Sequence, residues 1–186
     1  MWYDKHFLYE VDKTWASEGK AFQTFEYNGL KLGLGICMDI NPYEFTAPFE
    51  AFEFATFHSR AKTDAILFSS AWYELWKSEW NVLLIVVIYM DFLCARVRTR
   101  RCNRNPNDPV DYTPDVSVSE TINYWALRLR PLLGQKSYFV CADRVGMEGI
   151  TTFCGSSCHI SLKEPALLGN LDAAEESVLV SDLPIV

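Results

Sequence analysis

A chain of 186 residues is long enough for one domain with a real core, and with 49% apolar and 15% aromatic residues it is not a disordered polymer. A formal net charge of −7 argues against a nucleic-acid or acidic-membrane partner, because phosphate binding needs a concentrated positive field. Small or peptide ligands remain open.

Taken in order, Tyr3-Asp4-Lys5-His6-Phe7-Leu8-Tyr9 sets a lysine inside an otherwise apolar and aromatic run. Asp12 to Phe25 reads as loop, anchored by Trp15, Phe22 and Phe25. Leu30, Leu32, Leu34 and Ile36 then share one parity and predict a strand, with Lys31, Gly33, Gly35 and Cys37 on its other face. Glycine gains nothing in a strand interior, so the pair beside a thiol predicts that backbone or substrate comes close there. Cys37 stands at the strand exit, just before the turn signal Asn41-Pro42. Two readings fit it: a buried structural thiol, or a nucleophile for acyl transfer, which commonly sits at a sharp strand exit.

Beyond the turn, Pro48 can occupy the first turn of a helix whose core stripe is Phe49, Phe52, Ala55 and Ser59, with Glu50, Glu53, Arg60 and Lys62 reaching water. Ala65 to Ser70 reads as the next buried strand, adjacent to the first through a helical crossover. Trp72 follows at its exit and fits a pocket wall and a core position equally well. Residues 80–111 fit nothing around them. Val82 to Met90 is strongly apolar yet far short of the roughly 20 residues that span a bilayer. Arg96, Arg98, Arg100, Arg101 and Arg104 then crowd five of the seventeen basic residues together.

Asn107 to Ser119 is predicted to be loop, and Ser119 to begin a helix with Ile122, Trp125, Leu129 and Leu132 on one face, ending near Pro131. Ser137 to Ala142 reads as a strand. Thr151–Phe153 and Cys158–Ser161 read as a hairpin turning at Gly155-Ser156-Ser157. An acidic loop at Asp172–Glu176 and a last strand at Ser177–Val180 complete the pattern. The six cysteines lack framework spacing and no signal peptide precedes them, so reduced thiols and a cytoplasmic, or additionally nuclear, location are expected. Cys154, Cys158 and His159 want a fourth ligand, and neither a metal nor a cofactor is expected.

The lysine segment and the cysteine segment, 32 residues apart, together resemble the nitrilase superfamily of carbon–nitrogen hydrolases. Cys37 to Glu50, Ala71-Trp72, Tyr124 to Leu133, Arg144-Val145-Gly146, Gly155 to Cys158 and Leu167 to Leu171 are most similar to its branch of fungal-type protein N-terminal asparagine/glutamine amidases. The resemblance covers most of residues 2–80 and 112–181.

It implies an α/β fold, a four-layer α-β-β-α sandwich, here incomplete because the family's first third, with its general-base glutamate, has no counterpart. Residues 1–186 are then a partial domain with an insertion at about 80–111. The resemblance further implies Cys37 as nucleophile, Lys5 as catalytic cation, Met38 and Trp72 at the oxyanion site and pocket, and Glu18 as candidate accessory acid, Glu10 and Glu26 lying in the same interval. The implied reaction is deamidation of N-terminal Asn or Gln of peptides and proteins through a thioester, feeding degradation signalled by the N-terminal residue. A non-catalytic remnant acting as an interaction module is the rival. One departure from the family is Asp143, where its members carry a neutral Asn. An anion there opposes oxyanion stabilisation unless Arg144 pairs with it. Oligomeric state is not legible.

Overall fold

The computed structural model describes residues 2–73 and 117–184. The segments Val82–Met90 and Arg96–Arg104, the insertion at about 80–111 and most of the Asn107–Ser119 loop lie outside the described residues.

The framework is a six-stranded mixed sheet in the order β1-β2-β3-β4-β7-β8. Strands β2 (Leu30–Ile36), β3 (Ala65–Ser70) and β4 (Tyr138–Asp143) are parallel, and Gly35 lies beside Phe68, which lies beside Cys141. Antiparallel strands flank them: β1 (Gln23–Tyr27) on one side, β7 (Cys158–Ser161) and β8 (Ala166–Asn170) on the other. The β1–β2 hairpin closes through Asn28 and Gly29, both at positive φ (50° and 78°), the pairing that a two-residue hairpin turn favours. β1 thus occupies the end of the stretch predicted as loop, and Trp15 is exposed rather than an anchor.

Helices α1 (Glu53–Ala61) and α2 (Val118–Arg128) cover one face of the sheet. α2 follows the sequence pattern closely: Ile122, Trp125, Leu129 and Leu132 are all buried, and a 3-10 turn at Arg130–Leu132 accommodates Pro131. Its N-cap is Ser117, whose Oγ accepts from the Glu120 N–H. α1 departs from expectation. Phe52 has φ 45° and separates a short 3-10 turn at Phe49–Ala51 from the helix, so the core stripe is Phe54, Ala55 and His58.

The paired glycines of β2 now have a physical reason. A Cβ on Gly33 would stand 2.5 Å from His58 Cε1, and one on Gly35 would stand 2.5 Å from Phe54 Cζ. What comes close is the ring layer of α1, not substrate.

Two further expectations change. Thr151–Thr152 (β6) pairs with Met147–Glu148 (β5), while Cys158–Ser161 pairs with β4 and β8, so the hairpin at Gly155–Ser157 is not formed. Ser177–Val180 is not a strand but an extended tail that crosses the other sheet face, with His159 Nδ1 2.8 Å from Ser181 Oγ and Tyr138 donating to the Pro184 carbonyl. On that face Leu67 is exposed and Leu34 and Val140 are half-buried. Among the described residues the architecture is one helical layer on one sheet, two of the four layers of the expected sandwich.

Candidate active site

Three parallel strands end along one edge of the sheet, where a crevice forms beyond their carboxyl ends. β2 delivers Cys37, β3 delivers Ser69 and Ser70 followed by Trp72, and β4 delivers Asp143. Cys37 opens a 3-10 turn (Cys37–Ile40) and has φ 45°, a left-handed conformation that costs a non-glycine residue about 1 kcal/mol or more. Such strain persists only where surrounding bonds over-determine the backbone.

The Asp39 carboxylate supplies much of that determination. It is fully buried; Oδ2 accepts from the Tyr3 hydroxyl (2.8 Å) and the Ile36 N–H (2.8 Å), and Oδ1 from the N–H groups of His6 (3.0 Å) and Phe7 (2.7 Å). One side chain therefore ties the lysine-bearing segment to the cysteine turn. Burial raises the Asp39 carboxyl above the usual range, while these donors and Lys5 work to keep it ionised.

A second clamp comes from α2. Buried Arg128 donates from Nε to the Ile40 carbonyl (2.8 Å) and from Nη1 to the Phe49 carbonyl, and its guanidinium lies 4.7 Å and 4.9 Å from the ring centroids of Phe49 and Phe52. Tyr124 donates to Asn41 Oδ1 (2.6 Å). The turn after Cys37 is thus held from both ends.

The crevice encloses about 920 Å³, and Lys5, Cys37, Met38 and Trp72 all line it. Trp72 also packs at 5.6 Å from Tyr124 and 5.8 Å from Trp125, so it is pocket wall and core margin together. Glu18 is not brought to this site: it is exposed at the loop and accepts a 3.3 Å bond from the Tyr43 hydroxyl. The acid beside Lys5 is Asp12, at 2.5 Å from Nζ and lining the same crevice. Sequence reading missed Asp12 because, followed by Lys13 and Thr14, it has the look of an ordinary loop residue. Asp39 and Arg128, by contrast, stand inside motifs already singled out.

Burial pushes the Cys37 thiol above its ordinary value; the Ser70 hydroxyl, Lys5 and the Ala71 N–H favour the thiolate, and Asp143 opposes it. Asp143 is itself buried, and loss of solvation raises its carboxyl to about 7. Arg144 does not neutralise it: the guanidinium pairs with Glu148 (2.9 Å) and lies 4.1 Å from the Phe153 ring centroid. Cys158 and His159 alternate along β7, one fully buried and the other on the opposite face against Ser181, so the suspected metal trio does not converge.

The sheet order, its helical cover and a cysteine at the end of the first parallel strand define the nitrilase-like α/β fold of carbon–nitrogen hydrolases. A carbon–nitrogen hydrolase from Helicobacter pylori superposes with a TM-score of 0.56 at 18% identity, over 92% of this chain and 48% of that one. A solved N-terminal amidase with an Asn-Glu-Ala peptide superposes with a TM-score of 0.64 at 22% identity, over 91% of this chain and 68% of that one. In sequence the chain is 36% identical, over 190 residues, to the protein N-terminal amidase of Schizosaccharomyces pombe; the match takes in 97% of this chain and 58% of the relative. These likenesses bear out the resemblance to the nitrilase superfamily and, within it, to the N-terminal amidases. No family model matches the chain. No described helix is long and apolar enough to cross a membrane.

Proposed function

We propose that the protein is an amidohydrolase that deamidates N-terminal Asn or Gln of peptides and proteins. The observation that carries this reading is the convergence of Cys37 and Lys5, from segments 32 residues apart, on one crevice at the carboxyl edge of a nitrilase-like sheet. Cys37 Sγ attacks the side-chain amide carbon and forms a thioester, ammonia departs, and water then releases Asp or Glu. Lys5 and the N–H of Met38 stabilise the tetrahedral oxyanion, a role in which one lost donor typically costs about 3–4 kcal/mol. Trp72 closes the pocket wall. Solved N-terminal amidases hold peptides beginning with Asn or Gln, which supports this substrate class; feeding degradation signalled by the N-terminal residue belongs to the same proposal.

The thiol proton needs a base. Among the described carboxylates that line the crevice, Asp12 holds Lys5 and Glu148 holds Arg144, while Glu120 is exposed in the first turn of α2. General acid–base catalysis contributes about 10²- to 10⁴-fold in rate. Turnover with no dedicated base among the described residues is therefore expected to be slow. Ammonia release from peptides beginning with Asn or Gln measures it. Cys37→Ala should abolish that release with circular dichroism unchanged; retained turnover in the variant would overturn the assignment.

A further inference from the structure

Behind Cys37, at the ends of β3 and β4, two polar atoms are buried without a hydrogen bond of ordinary geometry: Ser70 Oγ and Asp143 Oδ2. They are not isolated from each other. In the sheet register Ser70 lies beside Asp143, and Ile36 beside Ser69, so Cys37, Ser70 and Asp143 stand next to one another at the ends of three neighbouring strands, where the Ser70 hydroxyl lowers both the thiol and the carboxyl. Asp143 is 9% exposed, and its Oδ1 accepts the Trp72 N–H at 2.8 Å, which fixes the carboxyl plane and aims Oδ2 away from that bond. An unpaired buried carboxylate oxygen is costly, and it calls for a proton, a cation or a counterpart.

Among the described residues no cation pairs with this oxygen. Facing Asp143 are Cys37 from the nucleophile turn, Ser70 and the Trp72 N–H from the end of β3, Cys141 on its own strand and Cys158 on β7. The Arg144 N–H donates to the Ser70 carbonyl (3.0 Å), and its guanidinium is turned to Glu148. Asp143 takes part in no ion pair among the described residues. The groups that can relieve its charge are therefore a proton of its own or the retained proton of the neighbouring thiol.

We propose that Asp143 is a positioning residue that opposes ionisation of Cys37: with Asp143 protonated the thiol ionises more readily, and with Asp143 ionised the thiol keeps its proton to higher pH. Ser70 couples the two by presenting one hydroxyl to both. Reactivity of Cys37 then rises less steeply with pH once Asp143 has lost its proton, because each negative charge opposes the other. Asp143 reaches that point near neutrality, since burial holds its carboxyl at about 7. This deepens the reading of Cys37 as the reacting group, and it is measured without substrate.

The test is the rate of Cys37 alkylation by iodoacetamide between pH 5 and 10 on the full chain, with the Cys37 peptide quantified by mass spectrometry so that the other thiols do not contribute. The wild type should show two breaks in the log rate–pH profile, a shallow one near neutrality and the thiol's own above it. Asp143→Asn keeps an acceptor for the Trp72 N–H and should show one break; it should match the wild type well below neutrality and be alkylated about 3- to 10-fold faster between neutrality and the thiol's break, as a thiol midpoint lowered by about half a unit to one unit requires. Superimposable profiles would overturn the proposal. If Asp143→Asn fails to fold, the wild type decides alone, a single-break profile refuting the coupling. Alkylation that behaves as predicted in a chain that releases no ammonia from Asn- or Gln-starting peptides would overturn the amidase reading and leave this one standing.

Discussion

Replacing Asp39 by Asn isolates one charge while keeping the shape of the side chain. The carboxylate accepts four hydrogen bonds, two on each oxygen. An amide has one acceptor oxygen, so in either orientation two donors meet an NH₂ group. If the amide oxygen stays with His6 and Phe7, the Ile36 N–H is left without an acceptor, while the Tyr3 hydroxyl can rotate and accept. Hydrogen bonds to charged groups contribute about 1.5–3 kcal/mol each, so one to two are forfeited. Removing the charge also removes its burial cost, which raises the native carboxyl and offsets part of the loss. The expected net destabilisation is about 2–4 kcal/mol. Tyr3→Phe deletes a single donor to that carboxylate and should cost about 1.5 kcal/mol. Urea unfolding at pH 7, followed by circular dichroism, measures both. An Asp39→Asn variant within about 0.5 kcal/mol of wild type, or a Tyr3→Phe variant as unstable as Asp39→Asn, would refute the view that this carboxylate joins the lysine segment to the cysteine turn.

Gly35→Ala should destabilise by about 1–3 kcal/mol despite alanine's better strand propensity, because the new methyl meets Phe54 Cζ at 2.5 Å; Phe54→Leu should reduce that cost, and a neutral single variant would disprove the close approach. His58 is buried with its imidazole lowered to about 4, so the stability tied to its neutral form is complete above its ordinary value of 6.5 and is lost as pH falls toward 4. That loss is at most about 3 kcal/mol, and His58→Gln should flatten the urea midpoint over this window. Asp143 runs with the opposite sign: its raised carboxyl favours the native state at low pH and ceases to do so as pH rises through about 7. Asp143→Asn should therefore exceed wild type in stability at pH 8, by at most about 4 kcal/mol, and lose that advantage near pH 4; equal stability at both values would contradict the burial argument.

The parallel core was readable because β2 and β3 are short apolar runs with a crossover between them, and α2 because Ile122, Trp125, Leu129 and Leu132 repeat at helical spacing. β1 escaped notice although Asn28-Gly29 marks its hairpin, since a half-buried edge strand carries little alternation. The break at Phe52 could not be read at all: its left-handed backbone follows from how Arg128 grips the Phe49 carbonyl from a helix far along the chain. The same holds at the site. Cys37 and Lys5 were found from local motifs, but the choice of Asp12 over Glu18 depends on where two loop segments fold back, and the predicament of Asp143 arises from Ser70 and Trp72 two strands' separation away in sequence. Those are tertiary facts with no local signature.

The left-handed backbone of Cys37 has an implication for how the chain can drift in sequence. Glycine is at ease at φ 45°, whereas every residue with a Cβ pays a conformational penalty there. Loss of the thiol by Cys37→Gly would therefore relax the fold, and Cys37→Ala would not. Selection for foldability alone pushes this position toward glycine, so a cysteine persists there only while its chemistry is under selection. Among natural variants of this chain, the residue at 37 is accordingly a test of the proposed role of Cys37 that can be read without an assay.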